Sequence, residues 1–471
     1  MKDRGFLSPV ATLLTGSGAA FVIGYAAKPI ILRLYPVEAF GVYEWIVALV
    51  ALLLPVASLR FEDAVVLPDD DAEARDVWML SLTLTVVTVI LTAAAVWLLG
   101  GLAPEPVQPW LWAAPVLLGI LRFSKLTELW LTRRKQFRAI SGAAAGQSGL
   151  GTGIRVLLGL RAAGPGGLLV GFGAGHLAAG LGMGLAAMRT MREVPGKATA
   201  ARAGLESGVR RAAWRYRRFA QFSAPAALVS ALSVRLPALL LLGAFGAEVV
   251  GWFGQAFAVL FVPLSLAGTA VGQVFFVRAA EARREGRLAH ETFQAHHLLA
   301  AAAVVPVAGV CAAAPEVFGF LFGPDWATAG RYAVLIAPWI ALSAVGSPLT
   351  RVFDVTERQR TDLAINFLML ALVGGALWLG RSQNEPAQAI LFLGIAGSAG
   401  RVAQIIAALR AAGQDLGAAV LSYARPILEG IALFSVVRIA AEFGGLAAAV
   451  ALGAGLLLWL PFLIRRFRRL Q

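Results

Sequence analysis

Apolar stretches of about 20 residues recur from one end of this 471-residue chain to the other, and nothing else restricts its fold so severely. Each is long enough to cross ~30 Å of hydrocarbon. A backbone in lipid finds no water to bond, so segments of this kind are satisfied only as helices. Composition agrees: 59% of residues are apolar, 14% are charged, and the mean hydropathy is +0.75. Soluble domains carry about 45–50% apolar and about 25% charged residues. The expected fold class is therefore an all-α polytopic membrane protein without a soluble catalytic domain.

Spacing predicts about fourteen spans, with edges good to a few residues. The first seven lie near 9–32, 42–60, 77–102, 109–131, 140–160, 166–188 and 219–243. The others lie near 249–277, 293–314, 329–350, 363–380, 386–409, 426–441 and 445–464. Met1-Lys2-Asp3-Arg4 precedes the first stretch, which is too long for the apolar region of a signal peptide and reads as an uncleaved helix. An even number of spans places both termini on one side. With this layout 30 Lys and Arg residues fall on the side of the termini and 4 on the other, namely Arg33, Arg161, Arg331 and Arg381. Such an excess marks the cytoplasmic face, so both termini are expected to be cytoplasmic.

The widest connection, 189–218, holds nine bases with Trp214 and Tyr216 among them. It reads as an interfacial segment against anionic lipids. It divides an N-lobe (1–188, six helices) from a C-lobe (219–409, six helices), and two further helices and a basic tail occupy 410–471. A weak repeat supports two related halves. Glu38-Ala-Phe-Gly41-Val-Tyr43 resembles Glu248-Val-Val-Gly251-Trp-Phe253, and Lys28-Pro29 upstream of the first matches Arg235-Leu-Pro237 upstream of the second.

The net charge of +14 suggests nucleic acid only until its distribution is considered, because the bases lie between apolar spans rather than on a soluble face. No nucleic-acid partner is expected. No G-x-x-x-x-G-K-[ST] phosphate loop and no H-E-x-x-H metal motif occurs, and Cys311 is the only cysteine. No cofactor or metal is expected. His176, in mid-span, reads first as a hydrogen bond to a neighbouring helix, and His296–His297 as a solvated pair at a helix end. Gly142/Gly146, Gly149/Gly153, Gly171/Gly175 and Gly180/Gly184 have the small-xxx-small spacing that lets helices five and six pack closely.

Charge inside the spans carries most of the functional signal. Lys28, Arg122, Lys125, Arg155, Arg235, Arg401 and Arg438 lie within them. A cation at mid-bilayer costs upward of ~2.5 kcal/mol, so such residues face a cavity or a partner. Arg438 can snorkel near Glu442, and Lys125 has Glu128 one turn away. For the rest two readings stand: a cationic, water-filled cavity, or pairing across helices to Glu44, Glu62 or Glu429. A cationic cavity would suit a phosphate-bearing cargo.

Several segments together resemble a known family. They are Leu14-Thr-Gly16-Ser17, Arg33-Leu-Tyr35, Phe40-Gly41-Val-Tyr43 and Leu59-Arg60-Phe-Glu62-Asp-Ala64-Val-Val-Leu67-Pro68. The later Gly251-Trp-Phe-Gly, Pro263-Leu-Ser-Leu, Gly268-Thr-Ala-Val-Gly-Gln273 and Phe322-Gly323-Pro-Asp-Trp326 agree. The chain resembles the Wzx-type polysaccharide flippases, which move lipid-linked oligosaccharides and belong to the multidrug/oligosaccharidyl-lipid/polysaccharide exporter superfamily. The resemblance implies two six-helix lobes around a central cavity, alternating access, and an undecaprenyl-diphosphate-linked glycan as cargo for O-antigen or exopolysaccharide synthesis. It also implies a polysaccharide polymerase and co-polymerase as partners. It maps basic cavity residues to Lys28 and Arg235, and it marks Arg33, Arg60 and Glu62 as motif positions. Phe61 stands where the family usually has Tyr, Asp69-Asp-Asp71 is unusually acidic, and the two extra C-terminal spans resemble the lipid II flippases.

The expected activity is transport, not catalysis. Asn366 and Gln404 are candidate ligands for a coupling ion, H+ or Na+. An ion-coupled multidrug antiporter of the same superfamily would want acidic cavity residues for cationic drugs. A membrane glycan polymerase or ligase would want a large outer loop, and the longest expected here is about 315–328.

Overall fold

Without water to accept and donate hydrogen bonds, an apolar chain must close its backbone on itself. The computed structural model describes residues 18, 20–192 and 203–468, and among these it is helical without a strand. Eleven helices among the described residues are long and apolar enough to cross a membrane. They coincide with eleven of the fourteen expected spans. Of stretch 9–32, residues 9–17 and 19 lie outside the described residues, and 20–26 and 28–32 are helical. Stretches 109–131 and 140–160 are helices, Ala113–Arg133 and Phe137–Gly159, too polar to join the eleven. The polar groups that exclude them, Arg122, Lys125, Glu128, Gln147 and Arg155, are the ones that matter for the site. Trp97, Leu98, Leu102, Trp378, Leu457 and Leu458 are each more than half exposed, an apolar exterior suited to lipid rather than water.

The chain divides into two compact units, Met1–Arg235 and Leu236–Gln471. The division runs through a helix, whereas the basic connection 189–218 was the expected seam. The first unit contains α1 (Lys28–Leu34), α2 (Val37–Ala57), α3 (Asp71–Leu99), α4 (Ala113–Arg133), α5 (Phe137–Gly159), α6 (Gly164–Arg192) and α7 (Ala203–Arg215). It also includes the first half of α8 (Ala224–Phe245), which follows α7 through a π-helical turn at Phe219–Ser223. Pro29 opens α1, where a missing N–H costs nothing.

After α2 the backbone turns sharply through Leu59 (φ 50°) and Arg60 (φ 63°), two left-handed residues in succession, into a 3-10 turn at Phe61–Val66. Phe61, Val65, Val77, Trp130, Leu131 and Met183 form the core beneath it. The acidic loop has a structural use. Asp70 caps α3 by accepting from the Ala72 amide at 3.2 Å, and Asp71 accepts from Arg133 (2.9 Å) and Arg134 (2.5 Å) at the turn between α4 and α5. Glu73 on α3 accepts from Arg215 at 2.7 and 2.8 Å and from Tyr216 at 3.2 Å, which fastens α7 to the unit. Gly208 faces Asp76 so closely that a Cβ would lie 2.3 Å from its Oδ2.

The second unit begins in α8 and continues through α9 (Ala247–Arg284), α10 (Leu288–Ala312), α11 (Ala314–Phe322), α12 (Ala327–Leu349), α13 (Arg351–Val355), α14 (Gln359–Ser382) and α15 (Pro386–Ala411). It ends with α16 (Leu416–Leu421), α17 (Ala424–Ala441) and α18 (Gly445–Arg468). The last two pack on α10 and α11 through Val305, Val317, Leu433, Val437 and Ala448. His296 corrects the sequence expectation. It is fully buried, and its Nε2 lies 3.1 Å from the Tyr423 hydroxyl, so it ties α10 to the start of α17 instead of meeting solvent.

Candidate functional site

The contact between α5 and α6 creates the polar centre of the first unit. Gly171 and Gly175 face Gly151 and Gln147, where a Cβ on Gly171 would lie 2.9 Å from the Gly151 carbonyl oxygen and one on Gly175 2.6 Å from that of Gln147. Close packing of these two helices was expected, but only in part through these residues. Gly142, Gly146, Gly149 and Gly153 have nothing within 4 Å of their Cβ positions. The face of α5 that meets α6 runs through 147, 151 and 155, at the i, i+4 spacing of one helical stripe, which leaves those four glycines turned aside. Gly180 and Gly184 instead admit α4, with Phe123 atoms 3.2 and 3.1 Å from their Cβ positions.

Arg155 lies across this seam. A Cβ on Gly171 would be 2.4 Å from Arg155 Cγ, so the glycine makes room for the side chain. The guanidinium donates to the Tyr43 hydroxyl at 3.2 Å and stands 5.4 Å from the Tyr43 ring and 5.7 Å from that of Phe172. Such contacts hold a cation in place with about 0.5–2 kcal/mol each without neutralising it. The Arg155 carbonyl accepts from the Tyr35 hydroxyl at 2.6 Å, which ties the same turn to the end of α1. His176 extends the cluster: its ring lies 4.4 Å from Phe172, and its Nε2 meets Gln147 on α5 at 3.1 Å. This is the neighbouring-helix hydrogen bond expected for it.

Two further cations act on the same place. Lys28 stands 5.7 Å from the Tyr25 ring and within electrostatic reach of Glu44 and Arg155. Arg235, the last residue of the unit, is half-buried, and its charge acts on Tyr43. It makes no hydrogen bond or ion pair among the described residues. The charges of Arg155 and Arg235 therefore reach Tyr43, that of Lys28 reaches Arg155, and one carboxylate, Glu44, acts on both Lys28 and Tyr43. A partly buried surplus of positive charge is stabilised by an anion. Lys28 and Arg235 belong to the same compact unit, although the repeat and the resemblance assign them to different halves.

The remaining candidates are placed elsewhere. Arg122, on α4, donates to Glu62 at 2.6 Å and to the Ser58 hydroxyl at 2.8 Å, and Ser58 also donates to Glu62. All three are buried, so the motif residue Glu62 pins the turn after α2 to α4. Arg60 pairs with Asp63 at 3.0 Å on that turn. Lys125 pairs with Glu128 at 2.8 Å on the exposed side of α4, as its spacing suggested. Arg33 is exposed in the last turn of α1, and Arg438 pairs with Glu316 at 3.1 Å rather than Glu442.

In the second unit Arg401 donates to Gln404 Oε1 at 2.7 Å, with Asp362 the carboxylate whose charge reaches it. Asn366 donates to the Asp362 carbonyl at 2.9 Å. The amide oxygen that was a candidate ion ligand is thus occupied by a guanidinium. Sequence reasoning passed over Phe172 and weighed Tyr43 only as a motif residue. Both lie where aromatic faces, not carboxylates, meet Arg155.

Known proteins share this architecture. A family model described as "Polysaccharide biosynthesis protein" matches residues 30–330. Among solved structures, the fold is similar to the lipid II flippase MurJ in an inward closed conformation, with TM-score 0.74, 10% identity, and 97% of this chain and 99% of that chain covered. An inward-facing multidrug resistance MATE family transporter of the MOP superfamily gives 0.52, 15%, 90% and 95%. A MOP superfamily transporter from Pyrococcus furiosus, described as having a binding pocket of reverse polarity that suggests a different function, gives 0.53, 16%, 90% and 96%. At these identities the likeness is one of fold. No curated protein sequence matches the chain significantly.

Proposed function

Because the chain belongs to this polysaccharide biosynthesis family, we propose that it is a flippase that carries an undecaprenyl-diphosphate-linked oligosaccharide across the bacterial inner membrane by alternating access, for surface or exopolysaccharide synthesis. The observation that carries the reading is Arg155, held by Tyr43 and Phe172 without an ion pair among the described residues, with the charge of Lys28 reaching Arg155 and that of Arg235 reaching Tyr43. A diphosphate supplies the compensating negative charge. Arg155 and Arg235 offer planar donor forks that match phosphate oxygens, and Lys28 offers a point charge. The aromatic rings keep Arg155 oriented while the anion comes and goes. The similarity in fold to MurJ, a lipid II flippase, supports a lipid-linked cargo.

No phosphate-loop motif occurs in the sequence, so the driving force in this reading is an ion gradient, the membrane potential or the cargo gradient. Each charge moved through 100 mV is worth about 2.3 kcal/mol, enough to bias reorientation of an anion-loaded site. The termini face the cytoplasm, where the basic connections meet anionic lipids, and polymerase and co-polymerase act on the delivered glycan. The cationic surplus weighs against a multidrug antiporter, whose cationic cargo calls for carboxylates.

The test is glycan export in a strain that lacks its own flippase, normalised to the amount of this protein in the membrane. Arg235→Ala is expected to abolish export while the protein accumulates, and Arg235→Lys to retain part of it. Normal export by a Lys28→Ala, Arg235→Ala double variant would refute the proposal.

A further inference from the structure

The second unit contains a cavity of about 290 Å³ between α9 and the C-terminal end of α12, remote in sequence from the cation cluster. Its polar lining consists of the hydroxyls of Ser265, Ser343, Ser347 and Thr350 and the guanidinium of Arg351, and Phe261 supplies an apolar wall. Gly268 and Gly272 complete the α9 side, so no side chain from those positions fills the space.

The state of these groups selects a ligand class. Thr350 donates to the Ser347 carbonyl at 2.7 Å, which uses its proton and keeps acceptor capacity, and Ser265 donates to that of Val262 at 2.8 Å. Ser343 and Ser347 make no hydrogen bond to protein among the described residues, although Ser343 is only 2% exposed. Ser343 belongs to a buried stretch of helix but its hydroxyl is not one of the enclosed unpartnered atoms, which leaves it open to the cavity, and Ser347 is exposed. Among the described residues Arg351 is the only charged one that lines the cavity. It is paired with Asp354 at 3.2 Å and stands 5.5 Å from the Phe276 ring. That pairing lowers its pull on phosphate, and no carboxylate among the described lining residues offers a cation a ligand. What remains is a set of donors and acceptors in nearly neutral surroundings beside an aromatic wall, at the lower end of ligand-pocket size. A sugar ring has the matching chemistry: several hydroxyls around its edge and an apolar face.

We propose that this cavity is a sugar subsite, in which the hydroxyls of Ser343 and Ser347 bond a ring of the cargo's glycan. The inference rests on the flippase reading.

The experiment is native mass spectrometry of the full chain in lipid nanodiscs with two probes. One is undecaprenyl diphosphate without sugar, and the other is the lipid-linked glycan pool extracted from polysaccharide-producing bacteria. The wild type is expected to prefer the glycan-bearing lipids. A Ser343→Ala, Ser347→Ala double variant, which leaves the backbone packing intact, should lose about tenfold of that preference and bind undecaprenyl diphosphate unchanged. Ser347→Trp, which fills the space, should lose it entirely. Retention of the full preference by both variants would overturn the subsite, as would equal binding of the two probes by the wild type. Loss of both probes by the wild type would instead remove the flippase reading and the subsite with it. Equal weakening of both probes in the variants would show a structural role and overturn the proposal.

Discussion

Arg122 meets the Glu62 carboxylate at 2.6 Å, with 7% and 2% of the two side chains exposed. This arginine is spoken for, whereas Arg155, thirty-three positions on, is held by aromatic faces that leave its charge in place. The contrast separates a cation neutralised within the fold from one that no ion pair neutralises among the described residues.

Removing one partner of a buried pair strands the other charge, at about 3–5 kcal/mol. Arg122→Leu and Glu62→Gln should each lower the thermal melting point and the membrane level of the protein. Combining Arg122→Met with Glu62→Gln should restore much of both. Export normalised to protein should change little in any of these variants, and a normal melting point for Arg122→Leu would contradict the pairing.

Gly171→Ala places a Cβ 2.4 Å from Arg155 Cγ and 2.9 Å from the Gly151 carbonyl. Overpacking of this kind costs about 1–3 kcal/mol. Here it also displaces the guanidinium, so export should fall further than stability does. Gly149→Ala and Gly153→Ala, with open space at their Cβ positions, should behave as wild type in both assays.

The pattern of what the sequence discloses has a physical origin. Span length follows from membrane thickness, which is the same everywhere, so the eleven apolar helices are readable without their neighbours. Partners are different, because they depend on helix rotation and on residues far along the chain. Arg122 finds its acid sixty positions upstream, in a turn built from two left-handed residues that spacing does not announce. The α5 contact runs through Gly151 rather than through the neighbouring small pairs because the helix is rotated by about one residue from the stripe that counting suggests. His296 sits near a helix end, where solvent was the natural guess, yet α17 covers it. Lys28, Arg155 and Arg235 were legible as cations within spans, while the seating of Arg155 on Tyr43 and Phe172 needed the fold.

In the second unit the Arg401 guanidinium takes the Gln404 amide oxygen at 2.7 Å, leaving that oxygen poorly suited to an alkali ion. Transport into inverted vesicles should therefore be unchanged when choline replaces Na+. Gln404→Leu should reduce stability by about 1–3 kcal/mol, the cost of an orphaned buried donor, and leave any ion dependence as it was. A Na+ requirement that disappears in Gln404→Leu would place an ion there after all.

The α7 helix is fastened by Glu73, but Arg215 is 63% exposed, so the bond is worth no more than about 1 kcal/mol. Glu73→Ala should leave melting within that margin. Single replacements of Arg210, Arg211 or Arg217 should each leave export near normal, since one base near an anionic surface contributes about 1 kcal/mol. Complete loss of export from any one of them would show that this segment does more than meet lipid.

The topology has its own check. Reporter fusions within 189–218 and after Arg465 should both report the cytoplasm, following the division of 30 bases against 4. An external signal from either would break the even-numbered layout.

Gly171 is bare because Arg155 already fills the volume where its side chain would stand. The two positions, sixteen apart, therefore cannot drift independently. Loss of the arginine relieves only part of the crowding at position 171, because the Gly151 carbonyl oxygen stays 2.9 Å from a Cβ there, whereas a side chain gained at 171 takes the guanidinium's seat outright. Among descendants of a common ancestor, alanine at 171 should therefore appear only where the arginine has gone, while loss of the arginine alone should leave the glycine in place.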